Sequence, residues 1–266
     1  MTRQRSVSVT RCSLVVSPVD VWTRRLPAPS ALSVSLQGVQ KKPIRKPDGT
    51  YLFLDLPPGS YALEVASPFF LPYWETIVTS ELDPLSPLVT VPLMPGPGYA
   101  YPPSATGVTF LLCGEDGRPL PGAPVDAYID DDSAARGRLA QETLEAGAWS
   151  ASIGLLQGKT VAGESLLLRG QGKEELVRVA ETLPGGGLRF RQPVKESYRR
   201  GAVLLPAVRT VSAPNGTVLL PLRGTLPPSF TVKASATSGK AAVSASLAAK
   251  AGQVAAAPPV TLHREK

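Results

Sequence analysis

The chain has 266 residues, a formal net charge of +7 and 43% hydrophobic residues, enough for one large domain or two domains with real cores. Its 28 prolines are about twice the average usage, which disfavours a mainly helical protein and favours short strands joined by turns. No stretch approaches the roughly 20 apolar residues of a membrane-spanning helix.

The basic residues lie in short, scattered clusters, such as Arg24-Arg25, Lys41-Lys42 and Arg199-Arg200, and aromatic residues make up only 6% of the chain. A nucleic-acid interface needs a basic stripe interleaved with aromatic residues. We therefore expect these cations to lie on solvated strand edges, where they discourage aberrant pairing. The predicted partners are protein subunits of a larger, symmetric assembly, with no nucleic acid.

The first 93 residues predict a β-sandwich domain. Short runs of alternating or β-branched apolar residues recur between proline and glycine turns, which is typical of such domains. The predicted strands lie at residues 6–16, 31–36, around 44, 51–56, 61–65, 76–79 and 88–93. Residues 19–29 are expected to form a loop anchored by Trp22.

The best-specified stretch runs from residue 46 to residue 65. Asp48-Gly49 is a tight-turn dipeptide, and after it Tyr51 and Phe53 alternate with leucines. Pro57-Pro58-Gly59 then reverses the chain into a second alternating strand. The pattern predicts a two-strand unit with one buried face.

Residues 94–103 are rich in proline and glycine and predict a semi-rigid linker. Residues 104–266 are expected to form a C-terminal β-sandwich region, either one enlarged domain or two small ones with a boundary near 185–212. Residues 130–144 are the one plausible helix, with an irregular acidic loop as the alternative. The alanine-rich end, residues 241–262, is interpreted as small-residue strands or as an arm packed on a neighbour.

A short sequence pattern is repeated in the two halves of the chain. Asn215-Gly216-Thr217 and the apolar strand after it parallel Asp48-Gly49-Thr50 and its strand. This pattern favours related modules in tandem.

Two stretches resemble the carboxypeptidase regulatory-like, or transthyretin-like, β-sandwich. Residues 48–65 match its D-G-x-[FY] strand followed by L-P-x-G-x-Y-x-L-x-V, and residues 116–125 match its G-x-P-L-x-G-A-x-V segment. The resemblance implies seven-stranded, non-catalytic modules. More loosely, the Pro-Ile-Arg-Lys-Pro-Asp-Gly hairpin of residues 43–49 resembles proteins of phage tails and contractile phage-tail-like particles. The predicted fold class is therefore all-β, with tandem Ig-like or transthyretin-like β-sandwich domains joined by a Pro/Gly linker.

The chemistry-bearing residues are few, and we expect no enzyme, no cofactor and no metal site. His263 is the one histidine and lies near the C-terminus, where a chain is usually too mobile to hold a catalytic base. Cys12 and Cys113 lie in separate modules, and we expect two buried thiols in a reducing compartment, with a disulfide between them as the alternative. Asp126 and the run 130–132 are rich in oxygen ligands but lack the spacing of a calcium loop, so a solvated loop is predicted.

The remaining candidates are aromatic side chains in proline-rich surroundings. They are interpreted as core or interface anchors, with a sugar-binding platform as the alternative. These candidate interface or glycan anchors are Trp22, Tyr73, Trp74, Tyr99 and Tyr101.

The leading hypothesis is a non-enzymatic structural subunit of a phage or contractile phage-tail-like particle, at its baseplate, tail or outer decoration. Its synthesis would be cytoplasmic, because the apolar run after the basic N-terminus is too short for a signal peptide. The alternative is a carbohydrate-binding or adhesion module at a cell surface. A third hypothesis, an enzyme that binds substrate between two sandwiches, has little support with a single histidine.

Overall fold

The computed structural model describes residues 10–28, 31–158, 160–239 and 241–264. The chain is all-β. The described residues contain no α-helix, and short 3₁₀ turns lie at Thr79–Glu81, Asp132–Ala134 and Pro184–Gly186. It divides into two compact units, residues 1–95 (the N-terminal unit) and 96–266 (the C-terminal unit). This division falls within the predicted linker at 94–103.

The described residues of the N-terminal unit form seven strands in two sheets. The strands are β1 (Cys12–Asp20), β2 (Ser33–Leu36), β3 (Ile44–Arg45), β4 (Tyr51–Leu54), β5 (Ser60–Ala66), β6 (Tyr73–Val78) and β7 (Leu88–Leu93). One sheet has the order β3-β4-β1-β7 and the other has the order β2-β5-β6. In β1, burial alternates residue by residue, so one face of the strand is covered. In a β-sandwich, the buried face of one sheet packs against the buried face of the other.

The first strand extends further than expected and continues through Pro18 to Asp20. Beyond Val16 it pairs only with β7, in parallel. A proline is tolerated there because its missing N–H faces the side without a partner strand. The part of the predicted strand at residues 6–9 lies outside the described residues.

The predicted pairing of residues 51–56 with residues 61–65 is wrong. Tyr51 and Phe53 are buried as expected, but β4 pairs with β1 and β3, whereas β5 pairs with β2 and β6. Asp55 adopts φ +57°, which ends β4, and Pro57-Pro58-Gly59 carries the chain from one sheet to the other. Alternation therefore predicted which face is buried but not which strand is the neighbour.

The C-terminal unit contains seventeen described strands. They are β8 (Thr106–Cys113), β9 (Pro124–Ile129), β10 (Gly137–Leu139), β11 (Thr143–Leu144), β12 (Ser150–Ala151), β13 (Ile153–Gly154), β14 (Ser165–Gly170), β15 (Lys173–Thr182), β16 (Leu188–Phe190), β17 (Tyr198–Arg199), β18 (Val203–Val211), β19 (Thr217–Leu222), β20 (Ser229–Ser238), β21 (Ala241–Lys250), β22 (Val254–Ala256), β23 (Val260–Thr261) and β24 (His263–Arg264).

The C-terminal unit repeats the strand topology of the N-terminal unit. Strand β8 pairs antiparallel with β19 and parallel with β22 and β23, as β1 pairs antiparallel with β4 and parallel with β7. Likewise, β9, β20 and β21 are consecutive antiparallel neighbours, as β2, β5 and β6 are. The sequence pattern repeated at Asp48 and Asn215 therefore precedes strands in equivalent positions, β4 and β19.

A second subdomain is inserted into this sandwich between β9 and β19. Residues 139–204 enclose a core of their own around Leu166, Phe190 and Tyr198, while the sandwich core surrounds Phe110, Ile129 and Val232. Strand β18 belongs to both, because its first half pairs with β14 and its second half pairs with β9. One eleven-stranded sheet therefore runs through the sandwich and the inserted subdomain.

The segment predicted as a possible helix, residues 130–144, forms no α-helix and contains the short strands β10 and β11. It contains one 3₁₀ turn, in which the Asp131 carboxylate accepts a hydrogen bond from the Ser133 N–H at 2.8 Å. Strand β10 follows and pairs with β13 and β18. Pairing with these strands satisfies the backbone that a helix would have satisfied internally.

The alanine-rich end is built from strands of the sandwich and is not a free arm. Strand β21 pairs with β20 over ten residues, and Leu247, Ala249 and Leu262 belong to the sandwich core.

Three turns of the chain share one geometry, at residues 46–50, 114–118 and 213–217. In each, the first N–H donates to the last carbonyl at 2.8–2.9 Å, and the fourth N–H donates to the first carbonyl at 2.8–3.0 Å. An Asp or Asn side chain at the third position accepts from the last N–H at 3.0–3.1 Å. The glycine at the fourth position has φ between +72° and +86°, as expected of a type I turn followed by a bulge.

We expect the glycines of two of these turns to differ sharply in their tolerance of alanine. Gly117→Ala adds a Cβ in open space at φ +72°, so the backbone conformation alone costs about 1 kcal/mol. Gly216→Ala adds a Cβ 2.7 Å from the Pro119 Cβ and 2.9 Å from the Leu112 carbonyl, which raises the loss to about 3 kcal/mol. Chemical denaturation of the full chain measures both, and equal losses would contradict the close approach at Gly216.

Candidate functional site

The aromatic anchors of the N-terminal unit lie in different environments. Tyr73 is 8% exposed and its hydroxyl donates to the Glu75 carboxylate, so it is a core residue. Trp22 is half-buried in the turn after β1, where its backbone N–H donates to the Asp20 carboxylate at 2.7 Å. Trp74 is 60% exposed, since it alternates with the inward-facing Tyr73.

Trp74 lies on the outer face of the β2-β5-β6 sheet beside polar side chains. The register places Ser35 opposite Glu64 and Glu64 opposite Trp74, so the three side chains form one row across three strands. An exposed indole ring next to hydroxyl and carboxylate oxygens can stack on an apolar sugar face while its neighbours accept hydroxyl hydrogens.

Tyr99 and Tyr101 belong to the C-terminal unit and pair with each other. Their ring centroids are 4.7 Å apart with an interplanar angle of 55°. Tyr101 also lines a small cleft of about 220 Å³ with Thr210, Asn215 and Leu219. The five predicted anchors are thus divided between the two units.

Three of the exposed large apolar side chains of the N-terminal unit, Ile44, Trp74 and Leu88, lie on edge strands, whereas Leu26, Phe69 and Leu85 lie in loops. Ile44 on β3 is 50% exposed and Leu88 on β7 is 51% exposed, and these strands are the two edges of one sheet. Trp74 lies on β6, an edge of the other sheet. Pro43 and Arg45 flank Ile44, as is usual at a protected strand edge. The exposed side chains of Ile44, Leu88 and Trp74 are therefore candidate contact positions on edges that are otherwise protected. The proline-flanked Ile44 and the alternation around Trp74 were the sequence signals.

The acidic loop of the C-terminal unit is used in ion pairs. Arg169 on β14 binds Asp130 at 2.5 Å and Asp132 at 2.8 Å, and Lys233 on β20 binds Asp130 at 2.9 Å. Hydrogen bonds from Lys233 and Arg169 hold the pKa of Asp130 below its usual range. This network connects the sandwich to the inserted subdomain.

The fourth aspartate proposed from the sequence is also paired. Asp126 accepts two hydrogen bonds from the Arg209 guanidinium, at 2.7 and 3.0 Å. Within the described residues, no group of three His, Cys, Asp or Glu side chains is placed to hold a metal ion. Of the other candidates, His263 is exposed on β24, Cys113 is buried and Cys12 is half-buried, and both thiols are free.

Sequence reasoning missed an open cleft of about 490 Å³ beside the ion-pair network. The β14–β15 turn, the turn before β18 and β10 form its walls, and its charged side chains are Asp132, Arg138, Arg169, Lys173, Glu174 and Arg200. Arg169 and Lys173 already bind carboxylates, and Arg138 donates to the Gly201 carbonyl at 3.3 Å. Residues from four separate segments meet here, so no local pattern predicted the cleft.

None of the helical segments in the described ranges is long and apolar enough to cross a membrane.

We expect Asp130→Asn to destabilise the C-terminal unit by about 1 kcal/mol at neutral pH, because Arg169 and Lys233 lose their shared carboxylate. The pKa of Asp130 is depressed in the folded protein, so its contribution is present above its unfolded pKa and is lost as pH falls through the folded pKa. Unfolding free energies measured from pH 7 down to pH 3 should therefore fall less steeply in the variant.

The control for this variant is Glu181→Gln, which breaks the pair with Arg189. Both side chains of that pair are more than half exposed, so we expect no measurable change. Equal effects of the two substitutions would show that the Asp130 network adds nothing beyond a surface ion pair.

No protein-family model and no curated protein matches this sequence. Among solved structures, the chain is similar to the shaft pilin SpaA from Lactobacillus rhamnosus GG, at 12% identity and a TM-score of 0.27, over 97% of this chain and 99% of that one. It is also similar to BcpA, the major pilin subunit of Bacillus cereus, at 11% identity and a TM-score of 0.25, over 97% and 100% of the two chains. A streptococcal ancillary pilin gives 13% identity and a TM-score of 0.24, over 98% of this chain and 64% of that one. TM-scores this low assign neither a shared domain fold nor a function to this chain.

Proposed function

We propose that this chain is a non-enzymatic structural subunit that assembles with other protein subunits through the edge strands of its N-terminal unit. The observation that carries the proposal is the placement of Ile44 and Leu88. Both are half exposed and lie on opposite edges of one sheet. Two such edges give a subunit two contacts, one on each side of the same sheet.

The construction of the C-terminal unit supports a rigid role. Strand β18 is shared between the sandwich and the inserted subdomain, and the Asp130 network connects β14, β20 and the acidic loop. A continuous sheet and a shared ion-pair network resist rotation of one part against the other. Rigid geometry is what a structural subunit contributes to an assembly.

The finer proposal is that the assembly is a phage or contractile phage-tail-like particle, made in the cytoplasm. It is supported by the sequence resemblance of residues 43–49 and by the tandem sandwich modules that the two units repeat.

The second candidate function is carbohydrate binding at a cell surface. It is supported by the exposure of Trp74 beside Glu64 and Ser35. The same face would then act as an adhesive surface.

Sedimentation of lysates from the source cells tests the assembly proposal. We expect a tagged wild-type chain to co-sediment with particles far larger than itself, which electron microscopy then identifies as tail-like or not. The variant Ile44→Lys/Leu88→Lys should fold normally and lose at least about tenfold of its particle-bound fraction, because charges at a contact core oppose binding. The control Leu155→Lys, at a site 85% exposed in the C-terminal unit, should sediment as wild type does. A wild-type chain found only as free monomer would overturn the proposal.

A glycan array tests the second candidate. If Trp74 stacks on sugars, we expect Trp74→Ala to abolish binding, since stacking on an aromatic ring supplies much of the affinity. Trp149→Ala removes a similarly exposed indole, 55% exposed in the other unit, and should leave binding unchanged. Equal loss in both variants, or no binding by the wild type, would contradict a Trp74 site.

A further inference from the structure

Strand β21 has a long free edge. One side of the strand pairs with β20 over all ten residues, but on the other side only Ala241 and Ala242 have partners, in β24. Among the described residues, no strand pairs with the outer edge of residues 243–250. This edge therefore presents a row of unpaired backbone N–H and C=O groups.

The free edge also lacks the features that usually protect edges. Residues 243–249 read Val-Ser-Ala-Ser-Leu-Ala-Ala and contain neither a proline nor a charge. Val243 and Ala245 are half-buried against the sandwich core, while Ser244 and Ser246 face solvent. Small neutral side chains leave the backbone accessible to another strand.

We propose that this edge pairs antiparallel with the same edge of a second copy of the chain, across a two-fold axis at Ser246. The proposal rests on the proposed function of an assembling subunit, and it adds a contact in the C-terminal unit to those of the N-terminal edges. A two-fold axis is the natural symmetry for an edge that pairs with itself. The two sheets that contain β21 become one continuous sheet.

The register follows from the faces of the strand. Residues directly opposite each other in a sheet point to the same face, so the axis must pass through a residue rather than between two. At Ala245, the axis would bring Ala248 of the second copy against Ala242, which already pairs with His263. At Leu247, it would place Lys250 opposite Ser244 and leave Val243 uncovered.

An axis at Ser246 avoids both conflicts. It opposes Val243 to Ala249, Ser244 to Ala248 and Ala245 to Leu247 of the second copy, and Ser246 to itself. Seven residues pair on each side without moving β24. The pairing satisfies the open backbone groups and covers the exposed parts of Val243 and Ala245.

A charge at the axis tests this contact in the full chain. We expect the molar mass of the wild type, measured by sedimentation equilibrium, to rise from monomer to dimer with concentration. Ser246→Lys places two like charges opposite each other, so the dissociation constant should rise about tenfold or more. Thr237→Lys adds the same charge to an exposed position of the interior strand β20 and should dimerise as wild type does. Matched unfolding midpoints for all three proteins show that they are folded.

A cysteine at the axis gives a second readout that does not depend on weakening the contact. Opposed Cβ atoms in a sheet lie about 5 Å apart, close enough for a disulfide after small adjustments. Under mild oxidation, Ser246→Cys should form a covalent dimer at least about tenfold faster than Thr237→Cys or the wild type with its own two cysteines. Equal rates would overturn the two-fold axis at Ser246.

The outcomes separate this contact from the proposed function. A wild type that stays monomeric, or a Ser246→Lys variant that dimerises as tightly as wild type, overturns the edge pairing, while particle sedimentation still tests assembly. A chain that dimerises through Ser246 but is absent from large particles supports the edge pairing and overturns the proposed function.

Discussion

Both units depend on the parallel pairing of their first strand with strands from near their C-terminal end. In the N-terminal unit, all of residues 15–20 pair with residues 88–93, and in the C-terminal unit β8 pairs with β22 and β23, about 150 residues later. The first strand of such a sandwich pairs with strands that come late in the sequence. The sandwich therefore cannot close until nearly the whole unit is present. The inserted subdomain is tolerated because it leaves that central strand and its partners intact.

How much of the fold could be predicted depended on the range of the signal. The Asp/Asn-Gly turns could be predicted because their geometry is determined within five residues. The alternation around Tyr51 and Phe53 also correctly predicted the buried face of the strand. The sequence pattern did not predict which strand is the hydrogen-bonded neighbour of each strand. A two-proline turn can return the chain to the same sheet or pass it to the opposite one, and the period of two is identical in both cases.

The same limit applied to the candidate sites. The acidic run at 130–132 was visible as a charge cluster, but its partners Arg169 and Lys233 lie about 40 and 100 residues further along the chain. The residues near this run in the sequence do not distinguish a solvated acidic loop from a loop whose carboxylates pair with distant cations. For Trp74 a local signal existed but was not used: the strand was predicted only at 76–79, whereas Tyr73 and Ile77 are spaced as inward residues of one strand, which places the indole outside.

The two units have different kinds of strand edge, and this difference suggests that each unit contacts a different kind of partner. Ile44 and Leu88 offer large apolar side chains that need complementary pockets on a partner, so those edges select among partners. Strand β21 offers bare backbone with small side chains, which suits an identical strand and needs no pocket. A chain with both kinds of edge can join a copy of itself through one unit and different subunits through the other. In the proposed function, assembly through these strand edges would require only backbone pairing and apolar contacts.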